Sequence, residues 1–339
     1  MKQTARAQAQ SRRQRLLALL ADGEFQSGED LAERLRISRG GVWKLIRSLR
    51  TLGIEVDSLP RQGYRLPQAV SLLDRAAVLA EISEEVQPLI ERLDVLLNID
   101  STNLYLGQVD DVSAGRLQAC LAEVQQAGRG RRGRSWIAPF GCGLCMSISW
   151  RFQEAPPAFS ALGLAVAVAA VRALCRFGAA DVGVKWPNDL LWRDRKLAGI
   201  LIEMRGESGG PAHVVIGIGM NVSMPASMRS AVTAAETLPI SDLREVLDGH
   251  MPTRNQLAGA LIDELARMLQ SFSRNGFAPF VDQWRSLDML ANAPVRVISG
   301  IETIIGIARG VELDGTLLVE VDGQMRRFAS GDVSLRRSE

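Results

Sequence analysis

The chain has 339 residues, 47% of them hydrophobic and 23% charged, with a net charge of +2, a balance that fits a globular protein of two or three domains. Four cysteines (Cys120, Cys142, Cys145 and Cys175) are too few and too unevenly spread for a disulfide framework, and the Gln/Ala/Arg-rich start lacks the apolar core of a signal peptide. The most apolar stretch, 159–171, falls short of the roughly 20 residues of a membrane span, so a reduced, cytoplasmic protein without a membrane partner is expected.

The positive charge gathers at the start: residues 1–67 hold 13 Lys+Arg against 7 Asp+Glu, and residues 68–339 hold 27 against 31. Such a bias points to nucleic acid only when a suitable fold accompanies it. Arg12 to Ala21 places Leu16, Leu17, Leu19 and Leu20 in a first helix stopped by Asp22-Gly23. Ser27 can cap a second helix, with Glu29 and Asp30 in its first turn, that ends near Leu35. After an Arg36-Ile37 turn, Ser38 can cap a third helix with Val42, Leu45, Ile46 and Leu49 on one face and Arg39, Lys44, Arg47 and Arg50 on the other. Two short strands, near Ile54–Ser58 and Tyr64–Leu66, meet at a Pro60-Arg61-Gln62-Gly63 tip. Gly28–Arg47 therefore reads as a helix-turn-helix with a β-wing, its third helix entering a major groove through Arg39, Lys44 and Arg47 while Arg61 touches phosphate. A three-helix protein-binding module with a solvated basic face is the alternative. Gly40-Gly41 inside the third helix costs about 1 kcal/mol per glycine, which close approach to DNA or tight helix packing would explain.

Pro67 marks a boundary, giving domains over 1–67, 68–290 and 291–339. Leu72–Leu93 is expected to be helical. Strands are expected near Val95–Ile99, Gln118–Val124, Leu144–Trp150, Gly183–Trp186, Leu190–Trp192, Ala198–Met204 and Val214–Gly219, with long helices at Phe159–Phe177 and Arg254–Asn275. Strands so outnumber helices that an α+β layer with a mixed sheet fits better than a regular βαβ alternation. From Pro294 to Leu335 four short β runs, broken by two Ser-Gly and two Asp-Gly pairs, predict a small β-barrel of hairpins.

Gly128–Arg134, Gly-Arg-Gly-Arg-Arg-Gly-Arg, packs four guanidiniums and three glycines into seven residues. Glycines let backbone approach a ligand closely, and arginines bring cationic forks suited to phosphate and carboxylate. Such a loop suits a polyanion, but taken alone the stretch reads as readily as a mobile basic surface loop or an RGG-like nucleic-acid segment. Around it stand Asp100-Ser101-Thr102-Asn103 after a strand, where a helix cap is the plain role, and Gln125-Gln126-Ala127. Lys185-Trp186-Pro187-Asn188-Asp189, Arg195-Lys196-Leu197-Ala198-Gly199-Ile200 and Gly217-Ile218-Gly219-Met220-Asn221 follow. Each is weak alone; their order is not.

In these motifs, from about residue 15 to 337, the sequence closely resembles the bifunctional biotin–protein ligase and biotin operon repressor family. The resemblance implies a winged helix-turn-helix, a central mixed-sheet catalytic domain like those of class II aminoacyl-tRNA synthetases and a C-terminal SH3-like β-barrel. It implies that Ser101, Thr102, Asn103, Gln125, Arg129, Gly130, Arg131 and Lys185 bind biotin, with Lys185 and Arg131 catalytic, and that Arg129, Arg131, Arg132, Asn188 and Asn221 bind nucleotide. It implies biotin and ATP as substrates with Mg²⁺, the biotin carboxyl carrier protein as acceptor, operator DNA of biotin genes as a partner, and a homodimer when loaded with biotinyl-5′-adenylate. A lipoate–protein ligase, a non-catalytic DNA-binding sensor and an enzyme whose winged domain only assists catalysis are the alternatives.

The residue types suit that chemistry. Biotin's ureido ring is neutral, so hydroxyls and amides satisfy it without burying charge, and Trp136 is placed to cover the thioether ring. Joining a carboxylate to a phosphate needs cations more than a base. Asp189 is a candidate base for the acceptor amine, though an Asn-Asp pair after proline is also an ordinary turn. Cys142-x-x-Cys145 has no second pair, so small residues filling a strand edge are expected there and no metal site.

Overall fold

The computed structural model describes residues 2–109, 112–206, 211–235, 238–299, 302–330 and 333–337. Met1 and Glu339, the outer limits of the expected end domains, lie outside these residues, as do Gly300 and Gly331 of the two Ser-Gly turns. Helices α1 (Lys2–Leu20), α2 (Gly28–Leu35) and α3 (Arg39–Arg50) precede the hairpin β1 (Asp57–Leu59) and β2 (Gly63–Arg65). The first helix begins at Lys2 rather than Arg12. Ser27 Oγ accepts from Asp30 N and Ser38 Oγ from Gly41 N, both at 3.1 Å, satisfying a first-turn amide at each helix start. Leu16, Leu20, Leu31, Leu35, Val42, Ile46 and Leu49 form the core between the helices. Leu97 and Val124 of the central domain belong to that same core, so the winged unit rests on the sheet beside it.

Leu72–Leu93 is not a continuous helix. Only α4 (Arg75–Ala80) and a 3₁₀ turn at Gln87–Leu89 are helical, and Ile90 already opens β3 (Ile90–Ile99). Pro88 removes a backbone donor, and β3 gains a parallel ladder to β4 (Leu117–Gln125), running from Ile90↔Leu117 to Ile99↔Gln125. Long-range pairing overrides the local helical pattern.

After the short α5 (Thr102–Leu106), the central domain adds β5 (Gly143–Phe152), α6 (Leu162–Cys175), β6 (Gly183–Lys185), β7 (Asp189–Trp192), β8 (Arg195–Gly206) and β9 (Ala212–Asn221). Helices α7 (Ala226–Ala235), α8 (Leu243–Val246), α9 (Arg254–Asn275) and α10 (Val281–Leu287) follow. The strands form one mixed sheet in the order β3-β4-β5-β9-β8-β7-β6, parallel at β3–β4 and antiparallel in its other pairs. Alternation splits the sheet's two faces. Leu144, Met146, Ile148 and Trp150 of β5 and Val214, Ile216, Ile218 and Met220 of β9 join the core with α6 and α9, leaving Cys145, Ser147, Gly217 and Gly219 for the opposite face. Thr253 starts α9 with a capping box to Gln256.

At the C-terminus β10 (Pro294–Ser299), β11 (Glu302–Val311), β12 (Leu317–Val321), β13 (Gln324–Phe328) and β14 (Val333–Arg337) make an antiparallel sheet in the order β13-β12-β11-β10-β14. Four of these strands match β runs expected from the sequence, and β14 is additional. Among the described residues, no helix is long and apolar enough to cross a membrane.

Candidate active site

Gly217 and Gly219 point to the open face of β9 and make the room on which the site depends. A Cβ on Gly217 would sit 2.2 Å from Asn103 Oδ1, and one on Gly219 would sit 2.3 Å from Trp136 Cε2. The strand ladder thus admits an amide and an indole where side chains would otherwise stand.

One end of the resulting cavity is lined by hydroxyls and amides. Ser101 caps α5, and Thr102 N donates to Gln125 Oε1 at 2.8 Å. Ser147 Oγ lies 2.7 Å from Thr102 Oγ1 and 2.6 Å from Asn103 Oδ1, while Asn103 Nδ2 donates to Glu203 at 3.0 Å and to Leu201 O at 3.3 Å. Ser101, Thr102 and Asn103 are buried. Such a tied set of hydroxyls and amides recognises a polar, uncharged group, and leaving a member unpaired costs about 1 to 3 kcal/mol.

The other end is cationic. The Gly128–Arg134 loop turns on itself through Gly130 N to Arg134 O, 2.7 Å, with Arg132 and Gly133 at φ 59° and 72°. Arg131 donates to Asn188 Oδ1 at 3.1 Å and to the Ser330 carbonyl, and Arg129 pairs with Glu203. Asp189 sits between two lysines, its Oδ1 3.3 Å from Lys196 Nζ and its Oδ2 3.9 Å from Lys185 Nζ. Lys196 also stands 5.4 Å from the centre of the Trp136 ring. Burial pushes the Lys185 ammonium below its usual range.

Ser101, Thr102, Asn103, Gln125, Arg129, Gly130, Arg131 and Asn188 all line this one cavity, together with Arg134, Trp136, Asp189 and Lys196. Lys185, Arg132 and Asn221 are not in its wall. Lys185 stands behind Asp189, and Asn221 is buried against the carbonyls of Lys196 and Ser241, to which its amide donates at 3.3 and 3.1 Å. Sequence reasoning assigned no role to Lys196, Ser147 or Glu203. Lys196 belongs to the Arg195–Ile200 motif, but the pairing with Asp189 that turns its side chain inward is tertiary. Cys145 lies at the floor of the cavity and Cys142 packs with Met224, Val232 and Ile240. The described residues hold no cluster of metal-ligating side chains.

On the winged unit, Arg39, Lys44 and Arg47 are exposed on α3, and Arg61 is exposed at the hairpin tip with φ 65°.

Fold and cavity together define a ligase domain that carries its own winged helix-turn-helix. Residues 97–221 match the biotin/lipoate A/B protein ligase family, residues 12–65 a helix-turn-helix domain and residues 292–336 the biotin protein ligase C-terminal domain. The chain is 42% identical over 326 residues to bifunctional ligase/repressor BirA of Escherichia coli (strain K12), covering 96% of this chain and 97% of the relative. It is 31% identical over 333 residues to the Bacillus subtilis (strain 168) protein of the same name, covering 93% and 95%. Biotin protein ligase from Aquifex aeolicus in complex with biotin and ATP superposes with a TM-score of 0.61 at 26% identity, covering 73% of this chain and all of that one. The chain belongs to the bifunctional biotin ligase/repressor family.

Proposed function

We propose that this protein joins biotin to ATP, passes the biotinyl group to a lysine of the biotin carboxyl carrier protein, and represses biotin genes with biotinyl-5′-adenylate as corepressor. Three parts share the work: 1–67 binds DNA, 68–290 holds both substrates, and 291–339 closes the site. The observation that carries this reading is a single cavity that sets the hydroxyls and amides of Ser101–Asn103 and Gln125 against the cations Arg131 and Lys196, with Arg129 linked to Asn103 through Glu203. The ureido ring is held by Ser101, Thr102, Asn103 and Gln125, Trp136 covers the thioether ring, and the carboxylate is directed to the cations.

In the first half-reaction a biotin carboxylate oxygen attacks the α-phosphorus of ATP. The bond to the β-phosphate oxygen breaks and pyrophosphate leaves. Both reactants are anionic, so positioning and fixed positive charge lower the barrier. Arg129, Arg131 and Lys196 supply that charge at the cavity wall. Lys185 supplies it from behind Asp189, whose carboxylate orients both lysines. Gly130 lets the loop backbone come close, Arg132 and Asn188 lie along the nucleotide's path, and Asn221 supports Lys196 through its carbonyl. Mg²⁺ would enter with the substrate as its ATP complex, neutralising phosphate charge. In the second half-reaction the acceptor lysine amine attacks the adenylate carbonyl, an amide forms, AMP leaves and the amine's proton is lost. The arginine loop keeps water from the mixed anhydride between the two steps.

As a repressor, the loaded chain pairs with a second copy through the central sheet, where β3 is an edge strand among the described residues, and two winged units meet a palindromic operator. Adenylate and dimer must strengthen one another equally.

Incubation of the full chain with biotin, Mg·ATP and a carrier domain tests the enzyme, with mass spectrometry of the acceptor lysine as readout. Lipoate in place of biotin tests the pocket. Labelling with lipoate but not with biotin would overturn the assignment.

A further inference from the structure

Of the six tryptophans, five are buried: Trp136, Trp150, Trp186, Trp192 and Trp284 are at most 9% exposed, whereas Trp43 is 52% exposed. Trp43 lies in the middle of α3, the helix that the DNA-binding reading sends into the major groove. An amphipathic indole half in water on a basic helix face offers a large rigid contact surface to a partner. Arg39, Trp43 and Arg47 recur at steps of four residues and so share one exposed stripe of the helix, beside the buried Val42, Ile46 and Leu49; Arg50, on the same stripe, turns back to donate to Val56 O at 2.6 Å. No acid occurs in the twelve residues of α3. The Arg47 guanidinium stands over the Trp43 ring, 5.6 Å from its centroid, so one side of the indole is already backed by a cation. Gly40, three residues before Trp43, adds a second observation. A Cβ there would meet nothing nearer than Ser38 Oγ at 3.9 Å, so nothing inside the protein requires glycine at that exposed position.

We propose that Trp43 reads sequence: its indole lies in the major groove against the 5-methyl of a thymine, beside a guanine engaged by Arg47. The thymine methyl is the apolar group that the major groove presents, and guanine N7 and O6 form the acceptor pair that suits an arginine fork. Lys44, off that stripe, and Arg61 at the hairpin tip set affinity and register on phosphate, and the Trp43–Arg47 pair sets sequence preference. Gly40 leaves room for the DNA backbone next to that pair.

The inference rests on the DNA-binding reading, and one experiment separates the two. The full chain, with biotin and Mg·ATP, selects from a randomised duplex pool, and so does Trp43→Ala. Binding of the enriched duplex is then measured with each thymine replaced in turn by deoxyuridine, which lacks the methyl. The wild type is expected to lose roughly tenfold in affinity at one thymine per half-site, within what one mismatched base pair costs. Trp43→Ala is expected to be indifferent to that replacement, to keep the salt dependence of binding set by its phosphate contacts, and to biotinylate the carrier domain normally. Acrylamide quenching of tryptophan emission, which in this chain reports Trp43, should fall on binding the enriched duplex. Failure of the wild type to enrich any sequence would overturn the DNA reading and this inference with it. An unchanged motif and unchanged deoxyuridine response in Trp43→Ala would overturn the inference alone.

Discussion

The Trp136 indole occupies the space that a side chain on Gly219 would claim, with 2.3 Å separating Cε2 from a Cβ built there. Both residues line the same cavity. Gly219→Ala must therefore push the indole into the ligand's volume, and overpacking of this kind costs about 1 to 3 kcal/mol. Biotin-dependent ATP–pyrophosphate exchange is expected to fall by about tenfold or more, the equivalent of about 1.4 kcal/mol. Titration calorimetry should show the loss in biotin affinity, and full biotin affinity in the variant would refute the packing argument.

Lys196 and Lys185 share Asp189 but differ in access, since Lys196 lines the cavity and Lys185 does not. Lys196→Met is expected to reduce adenylate formation by at least about 100-fold, on the scale of losing one preorganised charge-stabilising donor, with the melting temperature little changed. Single-turnover exchange measures it. A variant retaining wild-type turnover would remove Lys196 from the reaction.

Burial lowers the Lys185 ammonium below its ordinary 10.5. Between the lowered folded value and 10.5 the unfolded chain binds more protons than the folded one, so the stability cost of this lysine is relieved as pH rises through that window. Activity moves the other way: the cation is lost, so the alkaline limb of the exchange rate should fall before pH 10.5. Lys185→Arg, which keeps its charge, should carry that limb to higher pH. A rate profile identical in both proteins would contradict the assignment.

Arg254 and Glu123 form a buried ion pair at 2.7 Å. Arg254 also donates to Ser71 O at 2.8 Å and Gly143 O at 3.3 Å, while Glu123 accepts from Leu73 N at 2.6 Å. The pair pins the segment that joins the winged unit to the sheet. Glu123→Ala leaves a guanidinium buried without its partner, a loss of about 3 to 5 kcal/mol, measurable by urea denaturation. A change below about 1 kcal/mol would show that the pair is dispensable, in the range typical of exposed pairs.

Burial pushes the Cys120 and Cys145 thiols up to about 12 and raises Cys142 as well, while Cys175 is exposed. The thiolate is the reactive form. Iodoacetamide at pH 8 should therefore label Cys175 alone in the native chain and all four cysteines after denaturation. Rapid native labelling of Cys145 would show that the cavity floor opens to solvent.

Local chemistry was enough to identify the helix-turn-helix and the motif order. Ser27 and Ser38 cap their helices because a side-chain oxygen three residues before a free amide needs no distant partner, whereas the glycine-arginine loop takes its meaning from the motifs around it and not from its own seven residues. Ser101 to Asn103, Gln125, Arg129, Arg131 and Arg134 line one cavity, whereas Arg132 does not. The segment 72–93 misled because its local pattern is helical, whereas the ladder that makes Ile90–Ile99 a strand runs to residues 117–125. Tertiary structure alone decided that Lys196 faces the ligand's space while Lys185 stands behind Asp189, that Ser147 and Glu203 tie Asn103, and that Gly217 and Gly219 serve an amide and an indole. Residue type records what a side chain can bond to. Which face of a strand meets which neighbour depends on register across the sheet, and that is set by pairing between segments far apart in the chain.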